Sequence, residues 1–168
     1  MTPRVVLVGP PGSGKSTIGR RLGHALNCQV VDTDLLIEED QGKPCGEVFS
    51  ELGEDKFREL EATKVEQALA SGAVVSLGGG AVLTDSVREL LAAHPVVFLD
   101  ITAEEGVSRT AGDSNRPVLA AEDPLAHYTA LLQRRRPLYL EVADFKVHTG
   151  TRSPQQVVGE VLGFLDNL

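Results

Sequence analysis

Eight residues near the start of the chain, Gly9-Pro10-Pro11-Gly12-Ser13-Gly14-Lys15-Ser16, carry the spacing G-x-x-x-x-G-K-[ST]. Glycines at those positions let the backbone wrap an anion, and the N–H groups at the start of a helix face it. The lysine is placed to reach the terminal phosphates of a nucleotide, and the Ser16 hydroxyl to ligate Mg²⁺. The apolar run Val5-Val6-Leu7-Val8 precedes the pattern and a helix-like segment from Lys15 follows, the strand–loop–helix context it requires. The loop announces a nucleotide donor and leaves the phosphate acceptor open.

Acidic residues with the right company come next. Phosphoryl transfer is mostly positioning and charge neutralisation, so it needs an anion for the metal and a group to orient the attacking hydroxyl. Asp32 and Asp34, at the end of Val30-Val31-Asp32-Thr33-Asp34, can divide those jobs; capping the following helix is the plainer use for either. Val96-Val97-Phe98-Leu99-Asp100 also has the hydrophobic-then-Asp pattern of a metal site, so Asp32 and Asp100 are rivals that periodicity does not separate. Arg58 and Glu61 stand three apart on one helix face. They read either as a solvated ion pair of little worth or as a guanidinium oriented by a carboxylate to hold an anion. Gly78-Gly79-Gly80, directly after an apolar run, points to a backbone that a ligand approaches closely.

Two polar loops complete the set. Gly112-Asp113-Ser114-Asn115-Arg116-Pro117 has the composition of a lid that excludes water, with an arginine to neutralise transition-state charge. Thr149-Gly150-Thr151-Arg152-Ser153-Pro154 follows the last strand-like run and can hold a nucleotide base. Arg134-Arg135-Arg136 are expected to end the helix that Asp123-Pro124 begins, where they meet either the helix dipole or an anionic ligand.

The elements that must carry these residues alternate. Apolar runs at 4–8, 29–32, 73–77, 95–100 and 144–148 are separated by helix-like segments, which predicts a parallel sheet wrapped by helices, with the strand ends converging on the phosphate loop. Ile18, Leu22, Ala25 and Leu26 give the first helix its apolar face. Residues 35–52 read as short helices broken by Gly42 and Pro44, an insertion suited to a second substrate. A helix from Glu54 to Ser71 follows, then helices over 85–94 and 103–111, and a last one capped by Ser153-Pro154.

With 168 residues, 42% of them hydrophobic, the chain has the size of one domain with a real core. Aromatics are only 4% and tryptophan is absent, so Val, Leu, Ala and Ile must build that core. A net charge of −8 argues against nucleic acid or anionic membrane as partners. Cys28 and Cys45 lack metal or redox spacing, no signal-like segment opens the chain and no apolar run approaches bilayer length. A cytoplasmic protein is expected, with His24 and Cys28 ordinary helix-surface residues.

The combined motifs resemble the shikimate kinase family, small P-loop kinases of the nucleoside monophosphate kinase type. The likeness rests on GPPGSGKST at 9–17, DTD at 32–34, F-x-x-x-G-E-x-x-F-R-x-x-E from Phe49 to Glu61, SLGGGAV at 76–82, NRP-x-L at 115–119 and R-x-PLY from Arg135 to Tyr139. It implies a single three-layer α/β/α domain over 1–168 with a five-stranded parallel sheet of order 2-3-1-4-5. It further implies an acceptor insertion at about 33–61, a lid at about 112–123 and a monomer. The implied activity is ATP-dependent phosphorylation of the shikimate 3-hydroxyl, giving shikimate 3-phosphate and ADP in aromatic amino-acid biosynthesis. Carried over by position, Asp34, Arg58, Gly79, Gly80 and Arg135 would hold shikimate, Arg58 and Arg135 gripping its carboxylate. Gly12, Ser13, Gly14, Lys15, Ser16, Thr17, Arg109, Arg116 and Arg152 would hold ATP, and Lys15, Asp34 and Arg116 would act in catalysis. Mg²⁺ would sit on Ser16 and Asp32, with Ser76 a further candidate; the family, not geometry, favours Asp32 over Asp100. One departure is Cys45, in Lys43-Pro44-Cys45-Gly46, where the family usually has a branched aliphatic near the acceptor. Kinases of gluconate or of nucleoside monophosphates share the loop, whereas a guanine switch would want N-K-x-D, absent here.

Overall fold

β-Branched runs buried on both sides make the centre of the molecule, as a parallel sheet between helical layers requires. The computed structural model describes residues 3–111 and 123–168. In chain order the elements are β1 (Val5–Val8), α1 (Lys15–Ala25), β2 (Val30–Asp32), α2 (Thr33–Gln41), α3 (Cys45–Leu52), α4 (Glu54–Leu69), β3 (Val74–Ser76), a 3₁₀ turn (Ala81–Leu83) and α5 (Asp85–Leu91). Then come β4 (Val96–Asp100), α6 (Ala103–Thr110), α7 (Pro124–Val142), β5 (Phe145–His148) and α8 (Pro154–Asp166). All strand pairs are parallel, in the expected order β2-β3-β1-β4-β5.

Alternation along the strands splits the core into two layers. Val6, Val8, Val75, Leu77, Val96 and Phe98 pack on α4, α5 and α7 through Val65, Leu69, Val87, Leu91 and Tyr139. Val5, Leu7, Val74, Val97, Leu99 and Val147 pack on α1 and α8 through Ile18, Leu22, Val157 and Val161. The insertion has a small core of its own, in which Ile37, Val48 and Phe57 join α2, α3 and α4.

Two expectations are corrected. Ala25 is exposed; the buried face of α1 is Ile18, Gly19, Leu22 and Gly23. Helix and sheet approach too closely there for a side chain, since a Cβ on Gly23 would press on Val30 and lie 3.0 Å from the Cys28 carbonyl. Nor does α7 end at its arginines: it runs through Arg134, Arg135, Arg136 and Pro137 to Val142. An interior proline costs a helix about 3 kcal/mol. Tyr139, fully buried with its ring 5.1 Å from that of Phe98, supplies tertiary packing that carries the helix past it. The caps are as expected: Asp123 accepts from the Ala126 N–H, and Ser153 and Gln156 form a reciprocal capping box.

Candidate active site

Gly12 and Gly14 adopt φ of +80° and +100°, which glycine tolerates and other residues rarely do. The phosphate loop they shape is tied down from several sides. The Tyr128 hydroxyl donates to the Pro11 carbonyl at 2.6 Å, and the Thr149 hydroxyl to the Ser13 carbonyl at 2.6 Å. Arg109 Nη1 donates to the Gly12 carbonyl at 3.0 Å, while Nη2 reaches the carbonyls of Thr149 at 2.8 Å and Gly150 at 3.3 Å. Lys15 Nζ spans the loop, donating to the carbonyls of Gly9 at 2.6 Å and Pro10 at 3.2 Å. Helix α1 starts at Lys15, so N–H groups that have no carbonyl a turn earlier open on the same space.

That space is a cleft of about 490 Å³ lined by Gly12, Ser13, Gly14, Lys15, Ser16 and Thr17, by Asp32, Asp34 and Ser76, and by Gly79, Arg109, Arg135, Thr149 and Arg152. Strand register brings the acids to it, because Asp32 at the end of β2 lies opposite Ser76 at the end of β3. Asp32 also caps α2, its Oδ1 accepting from the N–H groups of Asp34 at 2.8 Å and Leu35 at 3.4 Å. Asp32 thus caps α2 and also lines the cleft. Its rival Asp100 does not line the cleft. Asp100 is bound by Arg136, with Nη2 2.9 Å from Oδ2 and Nε 3.4 Å from Oδ1. Ser16 and Asp32 suit Mg²⁺, an ion that takes few carboxylates and keeps several waters and phosphate oxygens.

Each glycine of the 78–80 triplet makes room for one charged side chain. A Cβ on Gly78 would land on the Asp34 carboxylate; one on Gly79 would lie 3.4 Å from Arg135 Nη1; one on Gly80 would lie 2.6 Å from Arg58 Nη2. The triplet is pinned by the Gly78 N–H, which donates to Thr33 Oγ1 at 3.0 Å, and by Tyr139, whose hydroxyl donates to the Gly79 carbonyl at 2.6 Å. Burial pushes the Tyr139 phenol up to about 12, so it stays a donor. Arg58 and Gly80 do not line the cleft, whereas Asp34, Gly79 and Arg135 do.

Arg58 is largely buried, with only its Nε facing a surface carboxylate, that of Glu54 at 3.9 Å. Its Nη1 donates to Glu61 Oε1 at 2.9 Å, and its guanidinium lies 5.8 Å and 5.4 Å from the ring centres of Phe49 and Phe57. Its buried Nε has no hydrogen-bond partner among the described residues. Glu61 is 1% exposed, and burial pushes its carboxyl up to about 7 against the pull of Arg58. The departure at Cys45 sits close by: its thiol lies 3.3 Å from the Asp34 carbonyl, its N–H donates to Glu38 Oε2 at 2.9 Å, and burial pushes the thiol up. Arg152, at the other end of the cleft, is ion-paired with Glu160. Arg116 and the expected lid lie outside the described residues. Sequence reasoning gave no role to Tyr128, and named Tyr139 only as the end of the R-x-PLY motif without a role for its hydroxyl.

Comparison with known proteins follows the same lines. The family model for shikimate kinase matches residues 11–166. The shikimate kinase of Corynebacterium efficiens is 64% identical over 165 residues, covering 98% of each chain. A shikimate kinase from Acinetobacter baumannii, solved in complex with shikimate, superposes with a TM-score of 0.94 at 33% identity over 99% of this chain and 94% of its own. A gluconokinase from Sinorhizobium meliloti shares the fold alone, with a TM-score of 0.59 at 20% identity over 97% of this chain and 91% of its own. A family model reaching from the phosphate loop into α8, and a relative nearly two-thirds identical end to end, show that this chain belongs to the shikimate kinase family.

Proposed function

We propose that this chain transfers the γ-phosphoryl group of ATP to the 3-hydroxyl of shikimate, releasing ADP and shikimate 3-phosphate. The observation that carries the reading is the glycine triplet at 78–80, which fits against Asp34, Arg135 and Arg58 and whose Gly79 packs beside Gly9 and Pro11 of the phosphate loop. Two guanidiniums beside one carboxylate suit a small hydroxy acid: the arginines take its carboxylate in charge-assisted hydrogen bonds, and Asp34 orients the attacking hydroxyl. Lys15 and the first N–H groups of α1 hold the phosphates and neutralise the charge that develops on them. Mg²⁺, on Ser16 and Asp32, would screen the phosphate oxygens when bound. Arg109 and Arg152 border the place for the base. The chain is proposed to act as a monomer. Among the described residues no helix is long and apolar enough to cross a membrane, and we place the reaction in the cytoplasm, where ATP is available.

An ADP-release assay against shikimate, gluconate and nucleoside monophosphates tests the reading. Turnover with shikimate alone is the expected result, and a preference for gluconate or a nucleotide would overturn it. In the same assay Lys15→Ala is expected to lose at least about 100-fold in kcat, and near-normal turnover would remove the loop from the chemistry.

A further inference from the structure

Thr149 and Arg152 line the nucleotide end of the cleft, yet they belong to a segment between β5 and α8 with no regular structure of its own. Its position must be set from outside: Thr149 is held by the carbonyls of Asp100 and Ser13, and α6 adds two residues one turn apart. Arg109 donates to the carbonyls of Thr149 and Gly150. Glu105, four positions earlier and so on the same side of the helix, lies against Gly150 so closely that a Cβ there would land on both carboxylate oxygens. That carboxylate is itself held in place. Its Oε1 accepts from the Thr102 N–H at 2.8 Å, and His148 Nε2 stands 3.1 Å from Oε1 and 3.3 Å from Oε2. The Thr102 N–H, ahead of His148, holds the Glu105 carboxyl below the usual carboxylate range.

We propose that Glu105 is a positioning residue for the nucleotide: braced by Thr102 and His148, its carboxylate seats Gly150 and so fixes the loop that brings Thr149 and Arg152 to the cleft. The inference rests on the reading of that cleft as the ATP site. The plainer role for Glu105 is only to close the capping box at the start of α6, in which its own N–H donates to Thr102 Oγ1 at 3.1 Å. The two roles separate by mutation, because Thr102→Ala weakens the cap and leaves the carboxylate against Gly150.

The test measures the ATP dissociation constant by calorimetry without acceptor, together with steady-state kinetics. Glu105→Ala is expected to raise both the ATP dissociation constant and the ATP KM about five- to tenfold, with kcat and the acceptor KM within about twofold of the parent. Glu105→Gln, which can still accept from Thr102, recovers most of that loss. Thr102→Ala lowers the thermal midpoint but leaves ATP affinity unchanged. Gly150→Ala, which drives a methyl onto the carboxylate but leaves the Thr102 hydroxyl on the Glu105 N–H, reports the same contact from the other side should Glu105→Ala not fold. An ATP affinity unmoved in Glu105→Ala and Gly150→Ala, a loss equally large in Thr102→Ala, or a KM rise shared by both substrates would overturn the proposal. Because the titration needs no acceptor, a parent protein that binds ATP but ignores shikimate would count against the proposed function and still return an answer on Glu105.

Discussion

Arg58 is held by a buried carboxylate 2.9 Å away, by two aromatic rings and by the missing side chain of Gly80. Its Nε is buried, makes no hydrogen bond among the described residues and faces the Glu54 carboxylate at 3.9 Å. A guanidinium held this firmly can offer its remaining N–H groups to an anionic acceptor in charge-assisted hydrogen bonds. Charge-assisted hydrogen bonds are worth ~1.5–3 kcal/mol, so Arg58→Ala should raise the shikimate KM by roughly 10- to 100-fold while leaving the ATP KM nearly as it was. Arg58→Lys should not restore it, because an ammonium lacks the planar fork that fits between Glu61 and a second carboxylate. Steady-state kinetics with each substrate varied in turn decides this, and equal rises in both KM values would take Arg58 out of the acceptor site.

Helix α7 is the element that couples the two halves of the cleft. Its first turns carry Tyr128, which donates to the Pro11 carbonyl of the phosphate loop, and its last turns carry Tyr139, which donates to the Gly79 carbonyl of the glycine triplet. Arg135 lines the cleft between them. Removing either hydroxyl strands a carbonyl at a cost of ~1–3 kcal/mol, and the effect should be local. Tyr128→Phe is expected to raise the ATP KM about fivefold and Tyr139→Phe the shikimate KM about fivefold, each sparing the other substrate; crossed or uniform effects in the kinetics would refute the division. Helix α7 also marks where sequence reasoning stops. Its start was legible because Asp123-Pro124 is a local signal, a side-chain cap followed by a preset φ. Its end was not, since Pro137 is a local breaker overruled by the packing of Tyr139 on Phe98, two residues distant in sequence by dozens of positions. The same limit explains Gly23, whose value lies in the close approach of Val30 and not in its own hydrophobicity. Asp32 and Asp100 were rivals that periodicity could not separate. Strand register places the first at the cleft, and Arg136, at the expected helix end, binds the second. The phosphate-loop pattern was legible because its residues are contiguous in the chain.

For the molecule as a whole, the buried Glu61 ties stability to pH. Helix α4 runs from the small core of the insertion, through Phe57, to the main core, through Val65 and Leu69, and Glu61 sits between them. Its carboxyl is raised from an ordinary value of 4.5 to about 7, burial outweighing the attraction of Arg58. The folded protein therefore binds a proton at this site more tightly than the unfolded chain. The stability this contributes is fully present below pH 4.5 and is lost as pH rises through about 7. At ~1.36 kcal/mol per pH unit between the two values, the loss is at most about 3 kcal/mol, and a domain of this size changes its thermal midpoint by roughly 2–4 °C per kcal/mol. Glu61→Gln cannot titrate, so the difference in midpoint, variant minus parent, should become more positive between pH 5 and pH 8. Thermal scans of both proteins across that range measure it, and a difference that stays flat or falls would show that Glu61 is already ionised throughout, held by Arg58 more strongly than burial opposes it.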